Sequence, residues 1–185
     1  YGWLEDRYGL SWQVMYRGGD ARGRSITPTL MYVGAVAGKA EEAMDLYTGL
    51  IPGSRRGEVL RHGPAAAPER EGSIAHGSFV LAGLDFAAMD SAQAHEFGFT
   101  EAISLVVRCD TQEEIDRYWE GLSAVPEAES CGWLKDRFGL SWQIVPSLLD
   151  ELMTKGSPAQ TTRVTEAFLK MKKFDVEALK KAYAG

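Results

Sequence analysis

The sequence has little of what defines several large classes of protein. It has only two cysteines, Cys109 and Cys131, in 185 residues, so it contains no framework of disulfide bonds. No apolar run approaches the roughly 20 residues that a membrane-spanning helix needs, and no secretory leader follows Tyr1. We therefore expect a cytoplasmic protein with two reduced thiols and no membrane partner. Lys135 and Arg137 follow Cys131 closely, which weakly favours a reactive thiol there.

Positive charge is also scarce, with 20 Lys and Arg against 26 Asp and Glu and a net charge of −6. An acidic surface repels phosphate backbones, so we expect no nucleic-acid partner. The glycine-rich stretch of residues 17–25 lacks the spacing of a phosphate-binding loop, and its lack of any apolar pattern is typical of a linker. The hydrophobic share of 45% is ordinary for a globular domain.

The most informative feature that is present is an internal repeat. Gly2–Val14 matches Gly132–Ile144 at an offset of 130 residues, and ten of the 13 positions are identical. The positions that differ are Glu5 and Lys135, Tyr8 and Phe138, and Val14 and Ile144. We interpret residues 1–16 as the last strand of a preceding, mostly absent repeat, which should pair with a sheet edge in this chain or a neighbour. Alternatively, the segment stands alone and adds a strand to a neighbouring molecule.

The remaining chain predicts an alternation of strands and helices. Apolar alternation between turn signals predicts strands at Ile26–Val33, Arg56–Arg61, Ser73–Leu81, Leu84–Met89, Ile103–Cys109 and Trp133–Val145. Helical periodicity predicts helices at Lys39–Leu50, after a cap at Asp110 or Thr111, and at Leu148–Met153, Ala159–Met171 and Val176–Ala184. The order is β-α-β-β-β followed by β-α-β-β. Residues 26–146 therefore form one domain, and residues 147–185 form a helical C-terminal extension.

Several of these segments resemble one known family. The segments Lys39–Ala43, Phe99–Leu105, Asp116–Trp119 and Cys131–Pro146 resemble the PhnB-like family, labelled "3-demethylubiquinone-9 3-methyltransferase-like", within the glyoxalase/bleomycin-resistance (vicinal oxygen chelate) superfamily. The resemblance covers roughly residues 26–179. It implies an α+β fold in which paired βαβββ modules form a cupped mixed sheet with helices outside. Together with exposed strand edges, it also implies a homodimer.

The same resemblance bears on cofactors. Enzymes of this superfamily hold a divalent metal with His, Glu or Gln side chains from four strands. The matching strands here offer Glu101 beside Ser104 and Gln143, which is too few, so we expect no metal and no other cofactor. The methyltransferase label is not supported by the sequence either, because no glycine-rich turn for S-adenosylmethionine follows a predicted parallel strand.

Two side chains are candidates for chemistry. His76 lies on a predicted strand and either binds an anion or moves a proton in a pocket, or is a structural, hydrogen-bonded histidine. Glu101 precedes an apolar strand, where it is either a half-buried general base or a partner for a backbone N–H or Arg137. Because ligand pockets are mostly apolar with a few polar groups, we expect the ligand-binding residues to be Met31, His76, Met89, Glu101, Ser104, Trp133, Trp142 and Gln143.

Three functions compete on these observations. The first is a metal-independent small-molecule binder of the glyoxalase superfamily that is not a genuine methyltransferase. The second is an enzyme, either a metal-dependent lyase, isomerase or dioxygenase or a proton-transfer catalyst that uses Glu101 or His76. The third is a structural protein that uses its sheet edges and tail helices for assembly. The shortage of metal ligands favours the first.

Overall fold

The structure, a computed structural model, describes residues 2–16 and 26–185. The predicted linker lies outside the described residues. The first βαβββ module comprises β3 (Thr29–Tyr32), α1 (Ala40–Leu50), β4 (Arg55–Arg61), β5 (Ile74–Leu81) and β6 (Leu84–Asp90). Its four strands form one sheet in the order β3-β6-β5-β4, in which β3 runs parallel to β6. Ala82 and Gly83 both have positive φ and close the β5–β6 hairpin.

The second module repeats this arrangement with one strand fewer. It comprises β7 (Ser104–Cys109), α2 (Gln112–Leu122), β8 (Trp133–Lys135) and β9 (Ser141–Pro146), in the sheet order β7-β9-β8 with β7 parallel to β9. Helix α2 begins where predicted, because the Thr111 side chain accepts a hydrogen bond from the Glu114 amide. The α+β class and the predicted order of elements are confirmed.

The two modules share one core through α1. The Tyr47 ring packs edge-on against Trp142 of β9, with 5.1 Å between ring centroids, and Tyr32 of β3 packs in the same way against Phe138 at 5.9 Å. Tyr47, Tyr32 and Trp142 are all buried. The helix-bearing faces of the two sheets therefore meet in the interior, and the opposite face of each sheet points away from this core. We call these opposite faces the outer faces.

The C-terminal extension forms three helices, α3 (Ser147–Lys155), α4 (Pro158–Phe168) and α5 (Val176–Ala184). Helix α4 begins with a capping box between Ser157 and Gln160. The extension is part of the domain's core, since Phe174 is buried and the Gly132 amide donates to the Lys172 carbonyl at 2.8 Å. None of the helices in the described ranges is long and apolar enough to cross a membrane.

The N-terminal segment corrects one expectation. Residues 2–16 form a hairpin of two strands, β1 (Gly2–Glu5) and β2 (Ser11–Val14), which pair with each other and with no other strand of the described chain. The prediction of a single strand on a sheet edge is therefore wrong for these residues. The predicted strand Trp133–Val145 is likewise the β8–β9 hairpin. Both chains reverse at an Asp-x-x-Gly turn whose glycine, Gly9 or Gly139, has a positive φ.

Candidate ligand-binding site

The outer face of the first sheet carries three of the expected site residues in one row. A Cβ on Gly77 would lie 2.9 Å from the Met44 side chain of α1, so Gly77 faces the helix. Its neighbour His76 therefore points to the outer face. Leu60 of β4 pairs with His76. On the other side, Met89 follows Ala88, which pairs with Gly77, and Met31 of β3 pairs with Met89.

One end of this row opens into a shallow depression. Its volume is about 630 Å³, and it is lined by Glu58, Val59, Leu60, His76 and Ser78. Leu60 is 65% exposed there although it is apolar, and His76 is exposed beside it. The depression exists because β4 lacks a side chain at Gly57, where a Cβ would lie 2.4 Å from the Ser78 Oγ. The site therefore combines an exposed aliphatic surface with one imidazole, one hydroxyl and one carboxylate.

The N-terminal hairpin supplies a polar group to the same face. The Gln13 amide Nε2 donates to the Met89 Sδ at 3.4 Å. Gln13 was missed from the sequence, although a signal was present: it is the repeat counterpart of Gln143, which was among the expected site residues. Assigning the same role to both copies of the repeat would have found it. Trp3 pairs with Gln13 on the adjacent strand and shares its face of the hairpin.

Three other expected residues form a second cluster on the outer face of the second sheet. The Gln143 Nε2 donates to the Ser104 Oγ at 2.8 Å. Trp133 and Val106 are the cross-strand partners of Gln143 on either side. Because Trp142 lies in the core, Gln143 and its two partners lie on the opposite face. Within this chain the two clusters therefore belong to different sheets, and the structure does not bring all eight expected residues into one cup.

Trp142 is not a lining residue. It is 1% exposed, and its indole Nε1 donates to the Asp136 Oδ2 at 2.8 Å. The Tyr47 hydroxyl donates to the same oxygen at 2.6 Å. Trp142 therefore belongs to the core that joins the two modules, and its expected role in ligand binding is corrected. Alternation along β9 explains the difference, since Trp142 and Gln143 point to opposite faces.

Glu101 is also placed differently from the expectation of a half-buried base. It lies in an exposed turn before β7, and the Lys135 Nζ lies 2.5 Å from its Oε1. This ammonium and a backbone N–H lower the pKa of the Glu101 carboxyl, which makes it a weaker base. Its partner is Lys135, whereas Arg137 lies near Glu42, with 3.4 Å between Nε and Oε1.

The residues present do not fit the metal centre that the superfamily's enzymes use. In the two stretches that the structure describes, no group of three or more His, Cys, Asp or Glu side chains is arranged to hold a metal ion. The depression offers His76 and Glu58, two groups where catalytic metal sites take three or more protein ligands. No step of the chemistry is therefore assigned to a metal.

Paired modules of the β-α-β-β type around a shared core place the protein in the glyoxalase/bleomycin-resistance superfamily. Residues 24–145 match the family model described as 3-demethylubiquinone-9 3-methyltransferase. The chain belongs to this family. The sequence-based recognition of the PhnB-like group is thereby confirmed. The N-terminal hairpin lies outside the matched residues, so the family model covers the two modules alone.

Solved structures agree with this assignment. A PhnB protein from Bacillus cereus, described as a 3-demethylubiquinone-9 3-methyltransferase, is 37% identical, with 67% of this chain and 100% of that chain covered and a TM-score of 0.58. A protein from Pseudomonas aeruginosa is 22% identical, with 67% and 98% covered and a TM-score of 0.51. The fosfomycin resistance protein FosX from Listeria monocytogenes is 13% identical, with 71% and 98% covered and a TM-score of 0.41. None of the curated proteins compared with the chain matches it.

Proposed function

We propose that this protein binds a small, partly apolar molecule on the outer face of its first sheet, without a metal ion. The observation that carries the proposal is the row of Leu60, His76, Met89 and Met31, which ends in an open depression of about 630 Å³. This volume falls within the range of pockets that hold small ligands, about 300–1,000 Å³. An exposed apolar row on an otherwise acidic protein has no structural role in the core.

The side chains in the row support a binding role over an acid–base role. Met31 and Met89 are flexible and polarizable, so they adapt their shape to varied apolar ligands. Gln13, His76 and Ser78 place a few polar groups beside this surface, and such groups fix a ligand's orientation. Glu58 adds one carboxylate, which favours ligands with a cationic or hydrogen-bond-donating group over anions.

A methyl-transfer function with S-adenosylmethionine is not part of this proposal. The strand-to-helix connection most similar to a cofactor-binding turn is the one between β3 and α1. The first amide of α1, that of Ala40, already donates to the Asp90 Oδ1 at 3.0 Å, and the Ile74 amide donates to its other oxygen at 2.9 Å. Asp90 is buried. A protein carboxylate thus occupies the helix start where a cofactor would bind.

The site is tested with the fluorescent dye anilinonaphthalene sulfonate, which brightens on apolar surfaces. Leu60→Glu should weaken dye binding at least about fivefold, because it places a charge on the exposed apolar surface. Val106→Glu is the matched control, since Val106 is also an exposed aliphatic strand residue but lies on the outer face of the second sheet. A dye affinity unchanged in Leu60→Glu but lost in Trp12→Ser would place the apolar surface on the hairpin and contradict the proposal.

The metal-independent part is tested separately by elemental analysis of the purified protein. Substoichiometric zinc, nickel, manganese and iron, with dye binding unaffected by a chelator, is the expected result. One equivalent of any of these metals, lost in His76→Ala, would contradict it. S-adenosylmethionine should give no measurable heat in a calorimetric titration, whereas saturable binding would restore the methyltransferase alternative.

A further inference from the structure

The two hairpins have the same backbone geometry, 130 residues apart. In the N-terminal copy Trp3 pairs with Gln13, and in the second copy Trp133 pairs with Gln143. The remaining cross-strand pairs follow the same register, Leu4 with Trp12 and Glu5 with Ser11, as do Leu134 with Trp142 and Lys135 with Ser141. The sequence identity of the repeat is therefore matched by an identity of pairing.

The turns also share one hydrogen-bond network. The Asp6 Oδ1 accepts from the amides of Tyr8 and Leu10 at 2.8 and 3.1 Å, and its Oδ2 accepts from the Trp12 indole at 3.0 Å. Asp136 makes the three corresponding bonds at 2.9, 3.0 and 2.8 Å. The N-terminal hairpin thus has the local structure of the core hairpin before it contacts any core.

The surroundings of the two hairpins are opposite. The side chains that face the core in the second copy are exposed in the first. The paired exposures are Leu4 51% and Leu134 1%, Leu10 42% and Leu140 1%, Trp12 37% and Trp142 1%, and Val14 56% and Ile144 0%. An exposed contiguous apolar face on a preformed element marks an interaction surface. We call Leu4, Leu10, Trp12 and Val14 the free face of the hairpin.

The second copy shows what kind of surface covers such a face. Its Trp142 packs against Tyr47 of α1, and its Asp136 accepts the Tyr47 hydroxyl as a fourth hydrogen bond. Asp6 has no fourth donor in the described chain, although a carboxylate accepts about four hydrogen bonds. The opposite face of the N-terminal hairpin is already in use, since Gln13 contacts Met89 of the first sheet.

We infer that the N-terminal hairpin is the completing hairpin of another module of this same fold. The partner is a βαβββ module whose first helix presents an aromatic side chain to Trp12 and a tyrosine hydroxyl to Asp6, as Tyr47 does to Trp142 and Asp136. A second copy of this chain is a poor partner, because its own β8–β9 hairpin fills that position. The hairpin then holds two modules together, with its free face in one core and Gln13 on the ligand-binding face of the other.

The inference is tested with a longer chain in which residues 26–131 are placed directly before Gly2 of the full sequence. The hairpin then follows the added module as Gly132 follows Cys131 in this chain. Hydrogen exchange of the amides in residues 2–16 should slow by on the order of 100-fold relative to the 185-residue protein, because their exchange now requires the added core to open. Trp12→Ala in the longer chain should abolish this protection.

Two outcomes of that experiment would overturn the inference. The first is exchange in residues 2–16 that is as fast in the longer chain as in the protein alone. The second is a dimer of the 185-residue protein, seen by light scattering, that Trp12→Ala dissociates, because the free face would then bind a second copy. In the protein alone, Trp12→Ala should leave the melting temperature unchanged.

A second experiment keeps the inference falsifiable if the longer chain does not fold. In the 185-residue protein, Lys135→Glu, Phe138→Tyr and Ile144→Val together turn the core hairpin into the N-terminal sequence, and Glu101→Lys restores the surface ion pair. This variant should unfold cooperatively, with a melting temperature lowered by less than about 10 °C. Leu134→Ser, a change that the repeat does not carry, is the destabilising control. Loss of cooperative unfolding in the four-residue variant would show that the N-terminal sequence does not suit such a core.

Discussion

Asp6 and Asp136 make the same three hydrogen bonds at the same sequence offsets, one in an exposed hairpin and the other in the core. The hydrogen bonds from Trp12 and from two backbone amides lower the pKa of the exposed Asp6. The turn therefore forms from local sequence alone. The core adds the Tyr47 hydroxyl, which joins the hairpin to the first module.

The first prediction follows from the difference in burial. Asp136→Ala should destabilise the protein by about 3–5 kcal/mol, because it leaves two amides, an indole and a hydroxyl without acceptors in the interior. Asp6→Ala is the matched control and should change the free energy of unfolding by less than about 0.5 kcal/mol, since its donors reach water. Urea denaturation followed by far-ultraviolet circular dichroism measures both. Equal effects at the two positions would contradict the assignment of Asp136 to the core.

The glycines that open the two hairpins provide a second matched pair. Gly132 has φ +83°, and a Cβ there would lie 2.3 Å from the Phe174 Cε2 and 2.9 Å from the Ile144 carbonyl oxygen. Gly132→Ala should therefore cost about 2–4 kcal/mol through backbone strain and overpacking.

Gly2→Ala is the control for this change, because no atom lies within 4 Å of a Cβ at Gly2 and its φ is not in the left-handed region. We expect no change in the free energy of unfolding beyond about 0.5 kcal/mol. Thermal denaturation of the two variants beside the wild type measures the difference. A Gly132→Ala protein as stable as the wild type would show that the C-terminal extension does not pack on this hairpin as described.

The order of strands and helices could be predicted from the sequence because each element carries its own periodicity. Thr111 caps α2 as its position indicates, and the alternation along β9 correctly separates Trp142 from Gln143. The hairpin turns were missed because the apolar Phe138 continues the strand pattern, although Asp136 and Gly139 mark a turn. That signal depends on φ at one glycine, which apolar alternation does not report.

The candidate site could be predicted only in part, because contacts between modules decide it. Glu101 was expected in an apolar cup, but Lys135, which lies 34 positions later, pairs with it in a surface turn. The sequence also did not show that the helix-bearing faces meet, which separates His76 from Gln143. No local pattern reports such packing between distant segments. The repeat alone linked distant parts of the chain, and it pointed to Gln13.

The two thiols should differ sharply in reactivity. Cys109 is 1% exposed, and burial, together with the nearby Glu114 carboxylate, raises the pKa of its thiol to about 12. Cys131 is partly exposed, with its Sγ 3.6 Å from the Phe168 carbonyl oxygen. Ellman's reagent at about pH 8 should modify one thiol per native chain and two after denaturation, because the thiolate is the reactive form.

Single serine variants assign the reactive thiol. Cys131→Ser should remove the native reaction, and Cys109→Ser should leave its rate unchanged. Two equivalents of reagent consumed rapidly by the native wild type would mean that β7 opens readily. A native reaction that survives in Cys131→Ser would likewise contradict the burial of Cys109 against α2.

The last prediction concerns acid stability at Glu41 of α1. Its Oε1 accepts hydrogen bonds from Arg61 at 2.6 Å and Arg56 at 2.9 Å, and these lower the pKa of its carboxyl to about 2. A carboxyl with a lowered folded-state pKa adds stability that is present above its unfolded pKa of about 4.3 and is lost as the pH falls toward about 2. Because the Glu41 side chain is 38% exposed, we expect only about 0.5–1 kcal/mol after screening. Glu41→Gln should therefore destabilise the protein at about pH 7 and progressively less below about pH 4, measured by urea denaturation. Glu177→Gln, at a side chain 82% exposed on α5, is the control and should differ little from the wild type at any pH. A Glu41→Gln effect that stays constant from about pH 7 to about pH 3 would mean that the loss comes from packing and not from the ion pairs with Arg56 and Arg61.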